Sequence, residues 1–317
     1  MPRTIASFVT AAVLTLLTIA PAAARQDATP TSGLEGLGLP QLDITLTAER
    51  YEGIPESTEA GRYLVSVTAG EDTVDGGVAF VQPTGMTADE FLAGLAGPGD
   101  VSGADATPDV MAEASPVEGG DESGAPPPEY FQSKFAGGTL AAPGMTAQVV
   151  LDLTPGEWIA WGDNPEAAQE PVIFEVTGEM PADLPEPESS ATFTMAEYQI
   201  TVTEGELTAG QQVIKIDNVG AQPHFIFAAK GPDSMTQADI EAVLNADMTG
   251  TPAAVGFNPD TDLIPVFSSG TQSLGTSIWL PVNLDPGTYL FVCFFPDLSD
   301  GLPHAYHGMY NVMQVAA

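Results

Sequence analysis

The chain has 317 residues, 44% of them hydrophobic, enough for two domains with packed cores. It carries 43 Asp and Glu against 7 Lys and Arg, a formal charge of −36 that argues against nucleic acid or anionic membrane as partners, because both repel an acidic surface. Its one cysteine cannot form an internal disulfide, so the thiol is free, paired between chains, bound to metal, or simply a small buried apolar group.

Taken in chain order, Arg3 precedes an apolar run from Ile5 to Ala20 and the small residues Ala22-Ala23-Ala24. That is the pattern of a signal peptide over 1–24, cleaved near Ala24, and it predicts a secreted or periplasmic protein. No later stretch is long and apolar enough to predict membrane insertion. Residues 25–40 are expected as a linker before a first domain over 41–178. Within it, Met86-Thr87-Ala88-Asp89-Glu90-Phe91 reads as a short helix with Thr87 capping its free N–H groups and an acidic residue three positions later. The stretch near 97–128 is rich in Gly, Ala, Ser, Pro and acids and has no Lys or Arg. Such a composition cannot bury enough apolar surface to offset its ordering entropy, and predicts a disordered acidic insertion. Leu153-Thr154-Pro155-Gly156-Glu157-Trp158-Ile159 reads as a Pro-Gly turn feeding an aromatic strand. Residues 179–190 read as a proline-stiffened linker.

The last stretch, 191–317, repeats this plan. Met235-Thr236-Gln237-Ala238-Asp239-Ile240 matches the capped helix, and Leu284-Asp285-Pro286-Gly287-Thr288-Tyr289-Leu290 matches the turn and strand. Between them Tyr198–Val202, Gln212–Asp217 and Phe225–Phe227 are short alternating or apolar runs that read as strands. The expected fold class is all-β: two tandem Greek-key β-sandwiches, each with a short inserted helix.

All three histidines and the cysteine fall in this second copy, at His224, Cys293, His304 and His307, with Met309 close by. Two imidazoles, a thiolate and a thioether suit copper that cycles between Cu(I) and Cu(II), since sulfur stabilises the reduced ion and nitrogen the oxidised one. Zinc also accepts Cys and His.

The region from about Ala191 to Ala317 resembles the cupredoxins, the blue-copper β-sandwich family that includes plastocyanin and the copper domains of nitrite reductases. Asn218-Val219-Gly220-Ala221-Gln222-Pro223-His224 is similar to the family's turn that presents the first histidine. Gly287-Thr288-Tyr289-Leu290-Phe291-Val292-Cys293, followed by His304-Ala305-Tyr306-His307-Gly308-Met309, is similar to its Gly-x-Tyr-x-Phe-x-Cys strand and His-x-x-x-Gly-Met loop. The resemblance implies cupredoxin-like sandwiches and one type 1 copper per chain. His224, Cys293 and His304 would be its strong equatorial ligands, Met309 the weak axial one, and Asn218 a brace for the loop. It further implies outer-sphere electron transfer with a redox partner protein, for which the acidic surface suits a basic partner. It places His304 at the surface in an apolar patch, with Asp297 and Asp300 as candidates for the rim; the alternative is that Phe294, Phe295 and Leu298 fold over His304 and bury it, or dock against the first domain.

Two departures from the family pattern bear on the ligands. The Cys293–His304 spacing is longer than in small cupredoxins, so Phe294–Gly301 forms a flap beside the metal or displaces His304. His307 competes with His304, but its place two residues before Met309 makes joint ligation with Met309 harder and leaves it a surface residue. Met313 competes with Met309, although its place in the final strand suits core packing.

The first copy has Gly162 where the second has Cys293, and no histidine or cysteine precedes His224, so it is expected to be metal-free, with Trp158 and Trp161 as packing. Once His224 and His304 are used, one histidine remains, too few for a multicopper cluster or a second three-histidine copper. A single cysteine excludes a binuclear purple site, and no Gly-x-Ser-x-Gly turn occurs. No catalytic residue is expected. Besides electron transfer, the remaining readings are a metal-free binding or structural module and a copper sequestration or delivery protein.

Overall fold

Period-two burial defines the strands: Gln41–Leu46 alternates exposed and buried residues along its whole length. The computed structural model describes residues 34–73, 76–96, 130–162 and 169–317. The signal peptide expected over 1–24 and the insertion expected near 97–128 lie outside the described residues. The first half contains β1 (Gln41–Leu46), β2 (Tyr51–Glu52), β3 (Ser57–Glu59), β4 (Gly61–Ala69), β5 (Gly76–Gln82), α1 (Ala88–Ala96), β6 (Lys134–Ala141), β7 (Thr146–Leu153), β8 (Gly156–Trp161) and β9 (Val172–Thr177). The second contains β10 (Ala191–Ala196), β11 (Gln199–Gly205), β12 (Gly210–Asn218), β13 (Phe227–Gly231), α2 (Gln237–Thr249), α3 (Pro259–Asp262), β14 (Ile264–Ser268), β15 (Ser277–Leu284), β16 (Gly287–Val292) and β17 (Tyr310–Val315).

The two halves share one topology. β1 runs parallel to β4, which pairs antiparallel with β7; β10 runs parallel to β12, which pairs antiparallel with β15. The facing sheets have the orders β3-β9-β8-β5-β6 and β17-β16-β13-β14. Trp158-Ile159-Ala160 of β8 and Tyr289-Leu290-Phe291 of β16 therefore occupy the same central position. A helix joins β5 to β6 and β13 to β14, and each starts at the threonine expected. Thr236 accepts from the Asp239 N–H at 3.2 Å while Asp239 accepts from the Thr236 N–H at 2.9 Å; Thr87 and Glu90 make the same exchange at 3.2 and 2.8 Å. The fold is all-β, two tandem sandwiches. Among the described residues no helix is long and apolar enough to cross a membrane.

Two local expectations fail. Tyr198 is not in a strand: it forms, with Glu197, the two-residue turn between β10 and β11, at φ 59°. The run Phe225–Phe227 enters its strand only at Phe227, because the earlier N–H groups are used elsewhere. Ile226 N–H donates to Ser269 Oγ at 2.8 Å and Phe225 N–H points to Cys293 Sγ at 3.5 Å.

The halves are fused through one sheet of order β11-β10-β12-β15-β7-β4-β1-β2, in which β15 meets β7 at Trp279 and Val150. Trp279 is 1% exposed and packs with Leu34, Leu39, Leu64 and Val150. The Arg62 guanidinium lies 4.3 Å from the Trp279 ring centroid and is held by Asp152 at 2.7 and 2.9 Å. Arg62 also donates to the Pro185 carbonyl at 3.1 Å, and Lys215 pairs with Glu186 at 2.8 Å. The proline-rich segment is thus tied to both halves, and the segment before β1 packs over the seam from Leu34 onward.

Replacing Trp279 with Ala is expected to lower the unfolding free energy by about 3–5 kcal/mol, as for other buried Trp→Ala changes. Met248→Ala, on the exposed side of α2, should stay within about 0.5 kcal/mol. Urea denaturation of both variants checks this, and a Trp279→Ala loss below about 1 kcal/mol would show that the seam is not packed as described.

Candidate metal centre

Strand alternation aims Tyr289, Phe291 and Cys293 into the main core, while Leu290 and Val292 face a second cluster with Met235 and Ile240 near α2. Cys293 follows the central strand β16 directly. Its N–H donates to the Met309 carbonyl at 3.1 Å, which fastens the returning loop to the strand end. His224 precedes β13 and exchanges both backbone hydrogen bonds with Gln272, at 3.0 and 2.8 Å. Asn218 braces the loop before it: its Nδ2 donates to the carbonyls of Gln222 (3.0 Å) and Gln272 (2.7 Å), and its Oδ1 accepts from Gly220 N–H at 2.9 Å. Gly220 is required here by close approach, since a Cβ would stand 2.6 Å from His224 Nε2. His304 opens a 3-10 turn, His304–His307; its N–H donates to the Phe295 carbonyl at 2.8 Å and its own carbonyl accepts from Met309 N–H at 3.0 Å.

These segments bring three side chains together. His224 Nδ1 lies 3.0 Å from His304 Nδ1, and Cys293 Sγ lies 3.6 Å from His304 Nδ1. One ligand atom from each of the three residues falls within 4.8 Å of the others, and all three residues are 0% exposed. This is the spacing taken up by three ligands at about 2 Å from a shared ion. Met309 is also 0% exposed and lies in the same apolar cluster as Cys293 and Phe291, while Met313 is half-buried at the margin of that cluster. His307 stands apart, 3.2 Å from a carboxylate oxygen of Asp300 and partly exposed.

Burial pushes the Cys293 thiol up to about 12 and both His224 and His304 down to about 4, His224 further through its proximity to His304. All three are therefore held neutral. Without a metal the two Nδ1 atoms can share one hydrogen, and a cation between them and the sulfur would take both lone pairs and favour the thiolate. The donor set, two imidazole nitrogens and a thiolate, fits copper.

The outer groups were not foreseen from the sequence. Glu197 accepts from the N–H groups of Ala221 and of Gln222 (3.1 Å for the latter) and reaches within 3.9 Å of His224 Nε2, which has no hydrogen-bond partner among the described residues. Gln222 Oε1 lies 3.3 Å from His304 Nε2, as the outer partner of a ligating imidazole would. Asp297, 2% exposed, accepts from Tyr198 Oη (2.7 Å), Gln222 Nε2 (2.8 Å) and Ser299 N–H (2.7 Å). Burial raises its carboxyl, but the hydrogen bonds from Ser299, Tyr198 and Gln222 outweigh that and hold it well below the usual range. The sequence offers no cue for Glu197, and it places Tyr198 in a strand-like run, not in a turn.

The first half of the chain forms two walls of the centre. Phe295, 5% exposed, sits 6.0 Å from the His304 ring and packs edge-on against Phe131 (5.7 Å) and Phe135 (6.2 Å). Behind His224, Gln272 forms a second bridge to Ala136 of β6, flanked by Gly137 N–H to Thr271 O (2.8 Å) and Ser273 N–H to Phe135 O (2.9 Å). This overturns the expected surface patch in favour of the alternative, in which the flap covers His304 and Phe295 docks against the first domain. Residues 294–303 form an ordered flap that does not displace His304, yet His304 is wholly covered, and Asp297 is a buried anchor where a rim residue was expected.

The strand order and the His–Cys–His cluster are cupredoxin-like. No protein-family model matches the chain, and no curated protein matches it. Among solved structures it is similar to the dithionite-reduced auracyanin of the photosynthetic bacterium Roseiflexus castenholzii (25% identity, 40% of this chain and 95% of that one, TM-score 0.26). It is also similar to auracyanin A, a "blue" copper protein of Chloroflexus aurantiacus (23% identity, 40% and 99%, TM-score 0.25). A third is the copper nitrite reductase of Nitrosomonas europaea (12% identity, 87% and 93%, TM-score 0.22). At such TM-scores these are likenesses only.

Asn218→Ala removes three hydrogen bonds from the His224 loop and leaves buried backbone groups without partners. It should destabilise the metal-free protein by about 1–3 kcal/mol in urea denaturation. A neutral result would mean that the loop is held by the Gln272 pairing alone.

Proposed function

We propose that the chain is an exported electron carrier, a type 1 copper protein in which His224, Cys293, His304 and Met309 would hold one copper, and with no catalysis of its own. The observation that carries this reading is the convergence of three buried ligand atoms from three separated segments. When bound, copper supplies a one-electron Cu(I)/Cu(II) couple. The chain's own residues supply the conditions that make such a couple fast. Cys293 is fixed at the end of a central strand and His224 by its pairing with Gln272, so the ligands keep their positions in either oxidation state. Phe295 and the flap exclude water from His304. The Phe225 N–H near Cys293 Sγ and the Gln222 amide near His304 Nε2 set the electron density on the ligands. The partner would be a redox protein, and the charge of −36 favours one with a basic surface. The burial of His304 also suits copper sequestration, in which the same ligands hold copper without a redox partner.

Adding Cu(II) to the purified protein should load one ion per chain and produce an intense thiolate-to-copper visible band with a type 1 electron paramagnetic resonance signal. Cys293→Ser should abolish the band, His307→Ala should leave it largely intact, and Met309→Leu should keep it while shifting the reduction potential. A colourless protein after stoichiometric copper would sink the electron-carrier reading. A coloured protein that exchanges no electrons with any redox protein would favour sequestration.

A further inference from the structure

His304 has no exposed edge through which electrons could pass directly: Phe295 packs on its ring and is itself backed by Phe131 and Phe135. His224 is likewise backed by Gln272 and β6. Another edge of the centre meets solvent. There the Tyr198 ring lies 5.8 Å from the His304 ring and 4.9 Å from the His307 ring, and its hydroxyl donates to Asp297 at 2.7 Å. Tyr198 has left-handed backbone at φ 59°, a conformation unfavourable for a residue with a Cβ. The turn thus holds an aromatic side chain against the metal ligands at the expense of backbone comfort.

The surroundings of this ring form one connected surface. Glu197 bonds to the Ala221–Gln222 loop, Gln222 bonds to Asp297 and to Leu298 N–H (2.9 Å), and Asp300 pairs with His307. Leu298 is 49% exposed, an apolar side chain between Glu197 and Asp300, whose carboxylate-bearing side chains are each 41% exposed. An apolar contact ringed by carboxylates matches a partner whose own apolar contact is ringed by lysines.

We propose that a basic one-electron carrier protein docks on this face, over the Glu197–Tyr198 turn and the flap residues Leu298–Asp300; the proposal rests on the electron-carrier reading above. One electron then leaves the reduced carrier, which is oxidised by one, and reduces the ion held by His304 by one. Tyr198 lies between them as the medium. Its hydroxyl stays bonded to Asp297, and it neither loses its proton nor changes oxidation state.

The test uses the full chain without metal, isotope-labelled for nuclear magnetic resonance and titrated at low salt with mitochondrial cytochrome c, a basic one-electron carrier. Shifts should centre on Glu197, Tyr198, Gln222 and Leu298–Asp300, and should disappear as salt is raised. Leu298→Lys and Asp300→Lys should each weaken binding about tenfold. Asp285→Lys makes the same charge change on a side chain 83% exposed at the opposite end of β16, and should alter binding less than about twofold. In the copper-loaded protein, reduction by the same carrier should slow about tenfold in the first two variants and not in the third. Shifts centred on another face, or equal weakening by Asp285→Lys and Asp300→Lys, would overturn the proposal. Failure to load copper would instead remove the electron-carrier reading, because the docking map is obtained without metal.

Discussion

Gln272 is fully buried and its backbone is shared between two neighbours. On one side it exchanges hydrogen bonds with His224, and on the other it lies opposite Ala136 of β6. Its side chain adds bonds to the carbonyls of Ile216 and Thr276 at 3.0 and 3.1 Å. A residue fixed on so many sides cannot move without disturbing β6, the end of β12 and the ligand loop together. The close fit depends on glycine: at Gly270, with φ 61°, a Cβ would stand 2.5 Å from Gly138 N. The His224–Cys293–His304 cluster is built into this junction, and the first half of the chain is part of its scaffold.

Much of this was legible in the sequence because it rests on local rules. Thr87-x-x-Glu90 and Thr236-x-x-Asp239 announce their helices through capping chemistry that needs no tertiary partner. Pro155-Gly156 and Pro286-Gly287 mark equivalent strand entrances, so the repeat and the central positions of β8 and β16 follow. The clustered His and Cys residues were legible for a different reason: both types are so rare in this chain that their concentration near Asn218–His224 and Gly287–Met309 stands out.

What the sequence hid depends on contacts between distant segments. Tyr198 begins an alternating Tyr-x-Ile-x-Val run, and alternation alone cannot distinguish the last turn residue from the first strand residue. Phe294 and Phe295 are apolar in either arrangement, and only the presence of Phe131 and Phe135 decides that Phe295 faces the first sandwich. The prolines between Glu179 and Ser190 declare stiffness, but not that Arg62 and Lys215 will bind that segment. Asp297 looked like one more surface carboxylate among many, and its burial follows from the convergence of Tyr198, Gln222 and Ser299.

The seam at Trp279 has a consequence for how this architecture could arise or be divided. β15 has β12 on one flank and needs β7 on the other, while the indole relies on Leu64, Val150 and Arg62 from the other half. A chain beginning near Ala191 would keep every ligand and still present a bare strand edge beside an uncovered indole. Such an edge recruits other strands, so the separated second half would be prone to self-association. Retaining the first half is then a condition of solubility for the half that carries the His–Cys–His cluster, and the two are expected to be exchanged or lost as a unit.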